Sequence, residues 1–357
     1  MKNQKRVILV LGVPRSGTSV LTKGMETMGV SLGPECGSQD SWKKQDLWED
    51  PDFHTLNLTM AHFIKGHERD ILSVTNEQVE MLCEEGFLAQ ASELLLQKFP
   101  DNMPLGIKDP RFSILLPFWK KVFLHARFHA SFIIALRNPW SFARAQTQHQ
   151  EQSFSMWISY LLSCLEHSRD HERILVDYDE LIKNPGHQMK RIAQALELTI
   201  NPQYLESYCT EYVNPLGRHF HEPSSLVHDD NYCEQFAIDM YSQLLKVAQD
   251  NIGFQELDVS LKKWESQFRE IDSLLVLAEK NNFTIYEIKK TLRQIDASIH
   301  QAHKKMTQKS YLIASSCLKI HQRELEITSL LREQEERTRQ LLKLKQSLEI
   351  QNRLIAS

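Results

Sequence analysis

The chain has 357 residues, 41% of them hydrophobic and 25% charged, enough to bury one sizeable core and to carry a second structural unit. That balance excludes a wholly disordered chain. A formal charge of −4, from 42 Lys+Arg against 46 Asp+Glu, excludes the strongly basic character of a general nucleic-acid binder.

Lys2, Lys5 and Arg6 precede the apolar run Val7 to Val13, which imitates the start of a secretory signal. The run is barely long enough, and the loop-like Pro14-Arg15-Ser16-Gly17 follows in place of a small-residue cleavage site. A buried strand over Val7–Leu11 is therefore expected. Thr18 to Met28 reads as a helix with Leu21, Met25 and Met28 inward and Gly29 as its stop. Ser131–Leu136 and Arg173–Val176 are again short, aliphatic and bounded by turn residues, as strands buried on both faces of a parallel sheet are. Between them Phe154, Trp157, Ile158, Leu161, Leu162 and Leu165 share one helical face. The alternation predicts an α/β domain. No stretch approaches the ~20 apolar residues of a membrane span. Six cysteines without a C-x-x-C pair fit reduced thiols in the cytoplasm.

All twelve glycines and all twelve prolines lie at or before Gly253, which places a domain boundary there, with residues 1–253 the α/β domain and 254–357 a helical tail. The tail holds 18 Lys+Arg against 14 Asp+Glu, leaving 24 against 32 before it. Of thirteen positions seven apart from Ile271 to Ile355, twelve are apolar and Gln334 is the exception. Companion positions are weaker, with Leu274, Ile288, Ile295 and Leu330 apolar but Lys309, Ser316 and Arg323 not. A long coiled coil is expected, of roughly 125 Å, leaning towards a parallel dimer. It should bend, break or change partner around Lys309–Arg323. The alternative is a set of helices folded back on the first domain.

The segment Gly12-Val13-Pro14-Arg15-Ser16-Gly17-Thr18-Ser19 joins the first strand to the first helix, where backbone N–H groups and the helix dipole form an anion site. Its spacing is that of a Walker A loop, yet Thr18 stands where the lysine of G-x-x-x-x-G-K-[ST] belongs. A cation sits three residues earlier instead, at Arg15. Ile174-Leu175-Val176-Asp177 passes for a Walker B strand, which keeps a P-loop kinase or NTPase, with magnesium, as a competing reading.

Pro-Arg-Ser-Gly-Thr-Ser after a buried strand resembles the 5′-phosphosulfate loop of PAPS-dependent sulfotransferases. Leu47-Trp48-Glu49-Asp50, Ile107-Lys108-Asp109-Pro110-Arg111, Leu136-Arg137-Asn138-Pro139 and Val176-Asp177-Tyr178-Asp179-Glu180-Leu181 are similar to segments of the bacterial branch, over about residues 5 to 225. The resemblance implies a three-layer α/β/α fold and sulfuryl transfer from PAPS to a glycan or small-metabolite hydroxyl, leaving adenosine 3′,5′-bisphosphate. It places the donor against Pro14, Arg15, Ser16, Gly17, Thr18 and Ser19, with Arg137 at the 3′-phosphate and Arg218 as a late basic contact. The family serine eight residues beyond Arg137 is Ala145 here, so either Ser141 or Arg144 substitutes or the 3′-phosphate is held less tightly.

By the same resemblance Lys108 would contact the sulfuryl group, but Pro110 occupies the position of the cytosolic family's catalytic histidine. Glu49 is the first candidate for the base and Glu35 the second, with His54 and Asp109 behind them. Trp42, Trp48 and Phe53 are available to stack on a sugar, or belong to the core. Neither His54, His62 and His67 nor His219 and His221 have metal-ligand spacing, and none is expected. A nucleotide-binding scaffold without catalysis is a third reading. The tail would dimerise the enzyme or dock it to a partner.

Overall fold

The computed structural model of the chain describes residues 5–33, 48–65, 73–100, 103–145, 150–213 and 232–355. Two compact units divide the chain, Met1–Ile271 and Asp272–Ser357.

In the first unit four strands, β1 Lys5–Leu11, β2 Leu105–Lys108, β3 Phe128–Leu136 and β4 Arg173–Asp177, form a wholly parallel sheet in the order β2-β1-β3-β4. Val10 lies opposite both Lys108 and Ile133, and Leu136 opposite Asp177, so β3 and β4 run on past the ends of β1 and β2 at their carboxyl side. The helices are α1 Thr18–Met25, α2 Pro51–Lys65, α3 Asn76–Glu84, α4 Phe87–Lys98, α5 Arg111–Ile114, α6 Leu116–His125, α7 Pro139–Arg144, α8 Gln150–His167, α9 Tyr178–Lys183, α10 Pro185–Ala195, α11 Pro202–Ser207, α12 Tyr232–Ala248 and α13 Phe254–Ile355.

Val7 to Leu11 are completely buried, because a parallel strand needs apolar side chains on both faces. Ile8, Val10, Ile133 and Ile174 point one way, into a cluster with Leu21 and Met25 of α1 and Met189 and Ile192 of α10. The alternating residues Leu9, Leu11, Phe132 and Ile134 are buried as well, and α5 and α6 pack on the strands that carry them. The result is the expected α/β architecture.

The three expected strands are present, each slightly longer than the sequence shows. β2 is an addition, at four residues too short to carry a pattern of its own. Its outer edge is covered by one bridge: Ser31 donates its N–H to Pro104 O at 2.9 Å and accepts the Gly106 N–H at 2.7 Å. The helix expected over Thr18–Met28 ends at Met25, and a 3₁₀ turn Glu26–Met28 carries it to Gly29 at φ 70°, a left-handed stop.

Helix α13 begins inside the first unit. Leu257, Leu261, Trp264 and Phe268 are buried, and the Arg173 guanidinium lies 4.2 Å over the Phe254 ring, which carries the compact unit past Gly253 to Ile271. From there α13 continues as one helix to Ile355. It crosses Lys309–Arg323 without interruption, since backbone hydrogen bonds need no apolar seam. Neither the break expected there nor a set of separate helices forms. Leu292, Ile299, Met306, Ile313, Ile320, Ile327 and Leu341 are 54–67% exposed. Among the described residues no helix is long and apolar enough to cross a membrane.

Candidate active site

The turn from β1 to α1 is held from inside. The Gly12 N–H donates to Ser113 Oγ at 2.9 Å, and that hydroxyl returns to Gly12 O at 3.1 Å. Ser16, a candidate donor contact, is buried, and its hydroxyl turns inward to Val13 O at 2.7 Å, so its side chain shapes the loop. Arg15 takes a left-handed backbone (φ 63°) with its side chain exposed. Gly17 is required twice over, by φ 91° and because a Cβ there would lie 2.2 Å from the Tyr178 ring. Gly17 caps α1 without a side-chain acceptor, which leaves the first turn's amides and the positive end of the dipole as an anion pole.

β1 and β3 are neighbours at the point where strand order reverses, the crevice in which open α/β sheets hold ligands. Arg137 ends β3 there. Its guanidinium lies 4.9 Å from the centroid of the Tyr178 ring and donates to Arg15 O. Its Nε is buried and has no hydrogen-bond partner among the described residues. Asn138 caps α7, accepting from the Trp140 and Ser141 N–H groups at 2.9 and 3.3 Å. That puts Ser141 in the turn following Arg137, while Ala145 is exposed at the far end of the helix.

The segment Trp48-Glu49-Asp50 sends three side chains three ways. Trp48 (φ 51°) donates its indole N–H to Tyr212 Oη at 3.0 Å, with Lys23 Nζ 4.5 Å over its ring. Asp50 caps α2 through the Asp52 and Phe53 N–H groups and pairs with Lys98 at 3.1 Å. Glu49 points to the end of β2, where Lys108 Nζ bonds its Oε1 at 2.8 Å and Ser19 Oγ at 3.4 Å. His54 Nδ1 lies 3.1 Å from Glu49 Oε2 and 3.1 Å from Asp109 Oδ2, and Arg111 pairs with Asp109 at 3.0 Å.

Burial alone would raise the Glu49 pKa, but the His54 hydrogen bond and Lys108 outweigh it and hold the carboxyl below its ordinary value. Bonds to Asp109 and Glu49 push His54 up to about 9 against its desolvation. At neutral pH Glu49 is therefore ionised and His54 protonated. The raised pKa expected of a carboxylate base is absent in the free protein. Donor atoms of Glu49, His54 and Asp109 approach within 4.8 Å of one another. Two of these three groups are already paired with cations, Glu49 with Lys108 and Asp109 with Arg111.

The structure thus gathers Pro14, Arg15, Ser16, Gly17, Thr18, Ser19, Glu49, Lys108 and Arg137 at one end of the sheet, with Ser141 in the turn beyond Arg137. Glu35, Trp42 and Arg218 lie outside the described residues. Phe53 is core, 1% exposed, and the Trp48 face is taken by Lys23, so neither stands open to a sugar. Asp177 is not poised as a Walker B ligand. It is buried, accepts the Asp179 and Glu180 N–H groups at 3.1 Å each, and receives the Tyr241 hydroxyl at 3.2 Å. Tyr178, which touches both Gly17 and Arg137, was legible only as part of a motif.

A family model described as sulfotransferase family matches residues 7–202. The chain belongs to the sulfotransferase family. No curated protein matches it. Among solved structures this sulfotransferase is similar to the sulfotransferase domain of the Synechococcus PCC 7002 olefin synthase, at 15% identity and TM-score 0.41 over 68% of this chain and 97% of that one. It is also similar to a sulfotransferase from Mycobacterium avium, at 14% identity and TM-score 0.37 over 70% and 77%. A mouse sulfotransferase complexed with PAP matches at 13% identity and TM-score 0.35 over 73% and 89%.

Proposed function

We propose that this sulfotransferase moves a sulfuryl group from PAPS to an acceptor hydroxyl on a glycan or small metabolite. The observation that carries the reading is the pair Arg15 and Arg137 at the β1–β3 crevice, with the orphaned Arg137 Nε and the uncapped start of α1 fitting a bisphosphorylated nucleotide. PAPS supplies the activated sulfuryl group and leaves as adenosine 3′,5′-bisphosphate.

Arg15 and the amides of Gly17, Thr18 and Ser19 hold the 5′-phosphate and neutralise the charge it gains. Arg137 binds the 3′-phosphate, supported by Ser141. Lys108, 3.4 Å from Ser19 and 2.8 Å from Glu49, lies between donor loop and base, where it steadies the sulfuryl oxygens. In-line transfer also needs a group to take the hydroxyl proton as the new S–O bond forms. Ionised Glu49 takes it. A cytoplasmic setting and self-association through the tail belong to the same reading.

Calorimetry with adenosine 3′,5′-bisphosphate, run beside ATP with magnesium, tests it. Magnesium-independent binding of the bisphosphate is expected. Arg15→Ala and Arg137→Ala should each weaken it about ten- to hundred-fold, the scale of a lost charge-assisted hydrogen bond. Preference for magnesium-ATP would establish the kinase instead. Bisphosphate binding without sulfation of any acceptor would leave a scaffold.

A further inference from the structure

Tyr204, Tyr208 and Tyr212 fall four residues apart along α11 and the π-helical turn Tyr208–Val213 that continues it. π-turns are rare and concentrate at functional sites. This one brings the Tyr208 and Tyr212 rings near parallel, 25° apart with centroids separated by 5.9 Å. The three tyrosines wall a cleft of about 660 Å³ that is also lined by Lys23, Glu26, Ser207 and Glu211, inside the ~300–1,000 Å³ range of small-molecule sites. Tyr208 forms its floor, buried with its hydroxyl on Val20 O at 3.1 Å. Tyr204 stands at its mouth, 61% exposed. Tyr212, also in its wall, accepts the Trp48 indole N–H at 3.0 Å, and Trp48 is the residue before Glu49.

The lining defines a ligand class. Among the described lining residues two carry carboxylates, Glu26 and Glu211, and one an ammonium, Lys23, which disfavours an anion. Glu26 bonds Lys23 at 2.5 Å and Glu211 bonds the Ser207 hydroxyl at 2.8 Å, and each carboxylate keeps lone pairs for further donors. Aromatic faces bordered by such acceptors match a ring with C–H faces and hydroxyl edges. We infer that this cleft binds the non-reacting part of the acceptor, and that this part is a neutral saccharide ring. Only the word acceptor rests on the sulfotransferase reading.

Saturation-transfer NMR on the full chain, without donor, tests it with maltotriose, cellotriose and triacetylchitotriose, and with phenethylamine as a cationic control. At least one trisaccharide should receive saturation. Tyr204→Ala should lower that signal about five-fold, the scale of one aromatic contact, and Tyr204→Phe should restore it. No transfer to any trisaccharide, equal transfer in Tyr204→Ala, or stronger transfer to phenethylamine would overturn the inference. Both variants should bind adenosine 3′,5′-bisphosphate as the parent does. A chain that binds the bisphosphate but no trisaccharide would lose this inference alone, and the reverse result would remove the sulfotransferase reading and leave the cleft.

Discussion

Glu49 sits between two cations, Lys108 at 2.8 Å and protonated His54 at 3.1 Å, and both its charge and its direction come from them. Glu49→Gln keeps the size and removes the proton acceptor, so kcat should fall about 10²- to 10⁴-fold while calorimetric binding of the bisphosphate persists. The two partners also set opposite pH dependences. His54 is raised from 6.5 to about 9, so its contribution to stability is complete below pH 6.5 and is lost as pH climbs through 9. Glu49 is lowered, so its contribution is complete above its ordinary 4.5 and is lost as pH falls through the folded value. Thermal melts between about pH 7 and about pH 10 should show the parent declining and His54→Gln nearly flat. Parallel declines would remove His54 from the pair.

At the scale of elements, the carboxyl end of β4 shows how one buried side chain can join two helices. Asp177 caps α9 and receives Tyr241 from α12, and burial, partly offset by those bonds, raises its pKa from 3.8 to about 6. Because the folded value is the higher one, the contribution of Asp177 to stability is complete below pH 3.8 and is lost as pH rises through 6. Asp177→Asn keeps a cap acceptor and cannot ionise. It should melt above the parent at about pH 7.5 and lose that advantage near pH 4, and a difference independent of pH would refute the assignment. β1, β3 and β4 were legible in the sequence because strands buried on both faces must be aliphatic, and the loop because Gly12 and Gly17 need positive φ. β2 was not, since four residues carry no period. Trp48-Glu49-Asp50 was legible as a motif but not as three directions, which tertiary partners decide. Tyr204, Tyr208 and Tyr212 carry no motif, and the π-turn that stacks two of them has no sequence signature.

In the whole molecule, the seam of α13 leaves Leu292, Ile299, Met306, Ile313, Ile320, Ile327 and Leu341 exposed along one helix. A two-stranded coiled coil would cover it. Light scattering should give twice the chain mass for the full protein and a single mass after truncation at Ile271, with bisphosphate binding retained. A full-length monomer would refute pairing. The bridge at Ser31 bears on the same question from the other end of the chain. By taking the outward Gly106 amide, it removes one of the groups with which a strand from another copy would pair on β2. A strand added on that side would have to displace Ser31 first, so the bridge protects the β2 edge at the place where it sits.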